Sequence, residues 1–310
     1  MANNLILGGI FLCIFVEMYH VIIWRYNMEE IKIVCDSLSD ITQEYIDKYD
    51  IEVIPLNVII DDVEYKDRVT ITTEEFYRRI REEKAMPKTS QITYGDYYKV
   101  FDKYTKEGKK IIYISAASTA TGTMQSALMA KGDIEGGDIR IIDSNNLCYG
   151  IAILVIRAAE LREEGKSIDE ITEEVEKIKN DAYVTFSCDD LEYLKRGGRI
   201  SGTKAMIGTV LNIKPICVIN DGIVDNVANA RGKKNVAAKL IDVAKENGVT
   251  DLSNQTVFIG YTDDVKERDR LEEKLIEELN PKEVKYFMVG CGIGTHGGPG
   301  ITGFICFKNK

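Results

Sequence analysis

Proline and histidine are scarce in this chain: 5 prolines and 2 histidines among 310 residues. With so few prolines and no Ser/Gly-rich run, there is no low-complexity linker, so the length must divide into packed domains at roughly 150 residues each. Two histidines and no CxxC pair leave too few soft ligands in the right spacing for a structural zinc site. The 7 cysteines, at 13, 35, 148, 188, 217, 291 and 306, are odd in number and lie mostly in apolar runs. That usage fits buried reduced thiols and excludes a disulfide scaffold. Positive charge is also in deficit: 40 Lys plus Arg stand against 50 Asp plus Glu, a net charge of −10. An acidic chain lacks the basic field of a nucleic-acid binder, although a local patch remains open. A Walker A loop and a G-x-S-x-G nucleophile elbow are absent as well.

What the chain does contain is an alternation of short β-rich runs and charged, helix-period stretches. Strands are expected at Ile31–Cys35, Ile51–Ile60, Lys110–Ser115, Ile139–Asp143, Tyr183–Ser187, Ile216–Ile219, Thr256–Gly260, Val284–Val289 and Ile301–Phe307. Thr72-x-x-Glu75 and Ser167-x-x-Glu170 have the spacing of helix capping boxes, and Ile171, Val175 and Ile178 form one apolar stripe after the second. The class is therefore α/β, with mostly parallel sheet covered by helices. The expected seam is the helix Ile151–Glu164 and the loop at Gly165, which gives an N-terminal unit 28–165 and a C-terminal unit 166–310. Leu5–Trp24 is almost wholly apolar, interrupted by Glu17 and His20. Residues 1–27 read as a membrane anchor, a core helix, or an extension upstream of a true start at Met28, and are separable from the function.

Five segments could carry chemistry. Thr89-Ser90-Gln91 offers consecutive hydroxyls to an anion, or else caps the helix starting near Tyr94. Ser115 to Thr123 is rich in small hydroxyl residues at the end of a strand and the start of a helix, where open α/β sheets bind ligands; an ordinary helix cap is the alternative. Asp36-Ser37 and Asp143-Ser144 end two strands and serve either as turn formers or as groups facing one crevice. Leu194-Lys-Arg-Gly-Gly-Arg199-Ile-Ser201 sets three cations around two glycines, a phosphate or carboxylate clamp or a solvated basic turn held beside the apolar run 205–211. Arg231-Gly-Lys233-Lys234 is a weaker version. Gly290 to Gly300 contains a literal GxGxxG, but a strand follows it where a dinucleotide fingerprint needs a helix. Its informative residue is His296, expected in a glycine loop. Asp61-Asp62, Asp189-Asp190 and Asp263-Asp264 read as solvated loop charge. A serine–histidine–acid triad could be assembled only from Ser90 or Ser118, His296 and Asp143.

In order and spacing these segments resemble the DegV family, the fatty-acid-binding proteins that serve the bacterial fatty acid kinase. The resemblance rests on IVCDSLSD within 31–40, Thr89-Ser90-Gln91, TGTMQSA at 121–127, IIDS at 141–144, LKRGGRIS at 194–201, Lys214-Pro215 and GTHGGPG at 294–300. Ile92, Thr121 and Ala120 depart from the family's usual proline, serine and leucine, and residues 1–27 have no counterpart. The resemblance implies two α/β domains, a parallel sheet in the first and a mixed sheet in the second. It implies a buried acyl chain whose carboxyl is held by Thr89, Ser90, Thr121 and His296, with Arg199 assigned to a partner or to phosphoryl charge. It also implies that the chain is not itself an enzyme and needs no cofactor beyond the bound fatty acid. A separate cytoplasmic kinase would receive that acid, form an acyl phosphate and feed phospholipid synthesis, and membrane contact would serve acyl exchange. The alternative is a small-molecule kinase or serine hydrolase of related α/β type. The tunnel is expected under helices such as Ile151–Leu161.

Overall fold

The computed structural model describes residues 29–189, 191–201 and 212–309. The apolar run Leu5–Trp24, Met28, Asp190 and the apolar run 205–211 lie outside the described residues. Among the described residues no helix is long and apolar enough to cross a membrane.

The first sheet is parallel, in the order β2-β1-β6-β7, from Ile31–Asp36 (β1), Glu52–Ile54 (β2), Lys110–Ser115 (β6) and Ile139–Asp143 (β7). β1 is buried along its whole length, as a continuous apolar run in the middle of a doubly covered sheet requires. The expected strand Ile51–Ile60 is divided at Pro55: the proline has no N–H for a ladder, and Asn57–Ile60 (β3) turns into a separate antiparallel sheet with Val63–Lys66 (β4) and Lys88–Ser90 (β5). The hydroxyl motif is thus a short strand, with Thr89 opposite Val58 and Ser90 opposite Asn57.

The second sheet is mixed, in the order β10-β9-β8-β13-β11-β12. Its strands are Ala182–Ser187 (β8), Ile213–Asn220 (β9), Ile223–Arg231 (β10), Thr256–Tyr261 (β11), Glu283–Met288 (β12) and Thr302–Phe307 (β13). Only β11 and β12 pair in parallel. The helices, in chain order, are Gln43–Tyr49 (α1), Thr73–Arg78 (α2), Tyr94–Lys106 (α3), Thr123–Gly132 (α4), Tyr149–Glu163 (α5), Ile168–Ile178 (α6), Glu192–Gly197 (α7), Val236–Glu246 (α8), Val265–Leu279 (α9) and Cys291–Gly297 (α10).

Helices α8 and α9 cover one face of the mixed sheet around Leu240, Leu271 and Phe304. Its other face joins the first sheet and α5 in one continuous apolar cluster that includes Ile33, Leu154, Val184 and Ile305. Of the two capping boxes read from sequence, Ser167 and Glu170 form the full reciprocal pair. At Thr72 only the hydroxyl bond to the Glu75 amide forms, because the Glu75 carboxylate goes to Arg78 and Arg79. The Gly290–Gly300 segment is not a loop: residues 291–297 are helical in spite of a helix-propensity cost of about 1 kcal/mol per glycine. Tertiary contacts hold it. The Gly290 amide donates to Asp40 at 3.1 Å and the Gly292 amide to Asp67 at 3.4 Å. A Cβ at Gly292 would lie 2.9 Å from Leu38, and one at Gly294 would lie 2.4 Å from the Tyr77 hydroxyl, so this helix packs at a distance only glycine allows.

Candidate functional site

In a strand, alternate residues face opposite sides of the sheet. On β11 and β13 the positions facing the first sheet include Gly260 and Gly303, which sit directly opposite each other in the ladder. Two adjacent positions without side chains keep this part of the sheet surface low, and the tip of the Phe287 ring lies against Gly260. Above this surface lies a cavity of about 220 Å³, walled mainly by aliphatic side chains such as Leu56, Val184, Ile219, Val224 and Ile305. Its walls draw on every strand of the mixed sheet, from Val224 on β10 to Phe287 on β12. Five strand-to-strand steps of about 4.8 Å mean that the lining strands span roughly 24 Å of sheet. A water-sized group occupies on the order of 10–15 Å³ of such a cavity, so there is room for on the order of fifteen methylene-sized units. The expected position of the tunnel under Ile151–Leu161 is corrected: those residues pack into the solid core, and only Leu147 and Cys148, just before α5, reach the cavity.

The polar groups gather at the β10 end. Thr89, Ser90, Thr121, Arg199 and His296, from four separate segments, all line this one cavity. Thr89 Oγ1 and His296 Nε2 are 2.9 Å apart. The helix-capping role that competed for Thr89 and Ser90 belongs instead to Thr93, which forms a full capping box with Asp96 at the start of α3. Thr121 precedes α4; its hydroxyl lies 2.9 Å from that of Thr123 and accepts the Thr123 amide at 3.3 Å. Arg199 follows α7 and straps the two halves together. Its Nε donates to the Ala120 carbonyl at 3.2 Å, its Nη1 donates to the Gly197 carbonyl, and its own carbonyl accepts the Val224 amide. The remaining guanidinium N–H positions are those that can reach a ligand oxygen.

His296 sits in the last turn of α10 and its Nδ1 is buried without a hydrogen-bond partner among the described residues. Burial first, then the charges of Arg199 and Arg196, hold the imidazole down at about 4 from an ordinary 6.5, so it is neutral at pH 7. A neutral imidazole beside a threonine hydroxyl and a guanidinium is chemically able to orient an oxyanion without adding a second full charge. Among the described residues no carboxylate orients Nδ1, and the residue on Nε2 is a threonine, so these residues do not assemble the Ser–His–acid triad. Asp143 accepts the Ser118 and Asn145 amides as a turn former. Asp36 is buried and accepts the Tyr113 hydroxyl at 2.7 Å and the Leu38 amide. Neither lines the cavity. Asp189 and Asp264 are corrected from solvated charge to ion-paired positions with Lys214 and Lys233, and Asp263 pairs with Arg81. Among the described residues no group of three His, Cys, Asp or Glu is placed to hold a metal ion.

The sequence reading missed Gly197. A Cβ there would lie 2.3 Å from His296 Nδ1, so this glycine, read only as spacing between cations, makes room for the ring. It also missed the acid pair beneath α10. Asp40 is buried and accepts the Cys148 thiol at 3.1 Å besides the Gly290 amide. Burial raises its carboxyl to about 8 from 3.8, against those two bonds. The folded chain therefore holds a proton that the unfolded chain releases. The stability this group contributes is complete below about 3.8 and is lost as the pH rises through 8. Asp40→Asn, whose side chain tolerates the backbone φ of 52°, is expected to flatten the fall in melting temperature between pH 6.5 and 8.5. An unchanged slope in a calorimetric series would assign the alkaline loss elsewhere.

Comparison with known proteins gives a consistent result. The sequence model of the DegV family, described as uncharacterised proteins, matches residues 30–309. A DegV domain-containing protein of Caldanaerobacter subterraneus is 38% identical over 283 residues, which cover 91% of this chain and 100% of that one. One from Clostridium perfringens is 36% identical over 280 residues, covering 88% and 96%. Among solved structures, a fatty-acid-binding DegV family protein of Thermus thermophilus superposes with a TM-score of 0.82 at 31% identity, over 90% of this chain and 100% of that one. A stearic-acid-binding protein of Eubacterium ventriosum does so with a TM-score of 0.79 at 27% identity, over 90% and 98%.

Proposed function

The chain belongs to the DegV family, and on that premise we propose that it binds one long-chain fatty acid, tail in the cavity and carboxyl at the Thr89–His296 end, and presents the acid to a separate kinase. The carrying observation is the cavity itself: a largely aliphatic passage that Thr89, Ser90, Thr121, Arg199 and His296 all line from four separate segments. Burying a methylene contributes about 0.8 kcal/mol, so a sixteen-carbon tail contributes on the order of 10 kcal/mol and the head needs only to be oriented. An unpaired buried carboxylate would be costly. Thr89, Ser90, Thr121, neutral His296 and the Arg199 guanidinium are the donors that offset this. The fatty-acid-binding relatives of Thermus thermophilus and Eubacterium ventriosum support the choice of ligand.

The donors fix the head near the exposed Gly122 and the half-buried Arg199, where a second protein can reach a carboxylate oxygen. In the kinase step that oxygen attacks the γ-phosphorus of ATP, ADP leaves, and an acyl phosphate remains; Arg199 is suited to the added charge. A cytoplasmic location and membrane contact during acyl exchange belong to the same reading. So does a domain boundary at Gly165, supported by the parallel sheet drawing all its strands from before that residue and the mixed sheet from after it.

The test is reconstitution with a purified bacterial fatty acid kinase, ATP and palmitate, trapping acyl phosphate with hydroxylamine. Hydroxamate is expected only when both proteins are present. Hydroxamate or ADP formed by this chain alone would favour the small-molecule-kinase alternative.

A further inference from the structure

Behind the tail end of the cavity lies a second one of about 210 Å³, with a different lining: Asp40, Thr42, Arg68, Thr73 and Glu74 among its walls. Phe287 lines both cavities. Its ring is 4% exposed, stacks on Tyr149 with centroids 4.3 Å apart, and points its tip at Gly260, where a Cβ would lie 2.4 Å from Cζ. Beside it Cys148, which lines the apolar cavity, donates its thiol to Asp40, which lines the polar one, at 3.1 Å. The partition between an aliphatic passage and a charged chamber is therefore one side chain thick.

We propose that Phe287 is the tail stop of the acyl passage and sets the longest chain the protein accepts, an inference that rests on the fatty-acid reading of the cavity. The head groups sit at the β10 edge, and Phe287 sits on β12 at the opposite edge of the same sheet. A tail that reaches the ring has used the apolar length. Carrying it further requires displacing the ring, and the next volume is lined by Asp40 and Arg68, which give a methyl terminus nothing to gain. Each carbon up to the stop raises affinity about fourfold, and each carbon past it adds none. Gly260 belongs to the device because a Cβ there would meet the tip of the ring at 2.4 Å, so only a residue without a side chain leaves the ring in its place.

The test is native mass spectrometry of the purified full chain with an equimolar mixture of saturated acids from C12 to C24, applied to the parent, Phe287→Leu and Phe287→Trp. The parent is expected to show a sharp upper cut-off. Phe287→Leu should move that cut-off up by two or more carbons, and Phe287→Trp should move it down. A ring that merely supports the core would move neither, or would weaken all lengths alike. An unchanged cut-off in both variants, or shifts in the same direction, overturns the proposal. A parent that takes up no acid of any length overturns the fatty-acid reading itself, and the tail stop with it.

Discussion

Filling the passage with the chain's own side chains should abolish acyl binding and leave the fold at least as stable. In the double variant Ile305→Phe, Val224→Phe the new rings enter the cavity at its middle, on β13, and at its head end, on β10. Both parent residues are buried cavity walls, at 3% exposure each. Added bulk in a close-packed core costs about 1–3 kcal/mol. Into an existing void it commonly stabilises by about 0.5–2 kcal/mol, which for a chain of this size is a few degrees of melting temperature. The acyl chain, by contrast, loses most of its volume and nearly all of its burial energy. Titration with palmitate is expected to show affinity down by at least about 100-fold, the equivalent of only about three methylenes. Undiminished affinity with an intact melting transition would place the tail elsewhere.

The second large effect is expected from the smallest change. Gly197 is the last residue of α7 and carries no positive φ, so alanine suits its backbone and improves helix propensity by about 1 kcal/mol. The only obstacle is the His296 ring, 2.3 Å from the new methyl group. Gly197→Ala should therefore leave stability nearly unchanged while pushing the imidazole off Thr89. Binding carried by the tail should fall less than about tenfold. Kinase-dependent acyl phosphate formation, which needs the carboxyl held in one place, should fall by about 100-fold, the usual cost of an ångström of misplacement. His296→Ala should reproduce the same split, and so should Thr89→Ala combined with Thr121→Ala. Equal losses of binding and turnover in these variants would mean that the head groups hold the acid as well as orient it.

These expectations show how unevenly the sequence reports the molecule. Strands with strong apolar runs are legible to the residue: Lys110–Ser115 because burial on both faces leaves no other use for it, and Ile139–Asp143, a half-buried edge strand, because its isoleucines are β-branched and an Asp-Ser turn ends it. β5 is not, because three residues with two hydroxyls look like a turn until β3 is there to pair with them. α10 is the sharper case. Its glycines argue against a helix on propensity, and what overrides them is tertiary: Asp40 and Asp67 at its N-terminus and Leu38, Phe76 and Tyr77 along its side. The five candidate ligands were visible as hydroxyl, cationic and imidazole groups in short motifs. That they line one cavity was not, since they come from segments as far apart as residues 89 and 296. Gly197, Gly260, Gly303 and Phe287 were invisible for a common reason. Their work is to leave or close space, and space has no signature in a linear sequence.

The account stands on the passage being occupied by a hydrocarbon. Native mass spectrometry of the chain, expressed in bacteria and purified without detergent, measures this directly: the predicted spectrum is the polypeptide mass plus one fatty acid, with the acid released and identified after denaturation. A spectrum of bare polypeptide that stays bare after incubation with palmitate, stearate and oleate would contradict it.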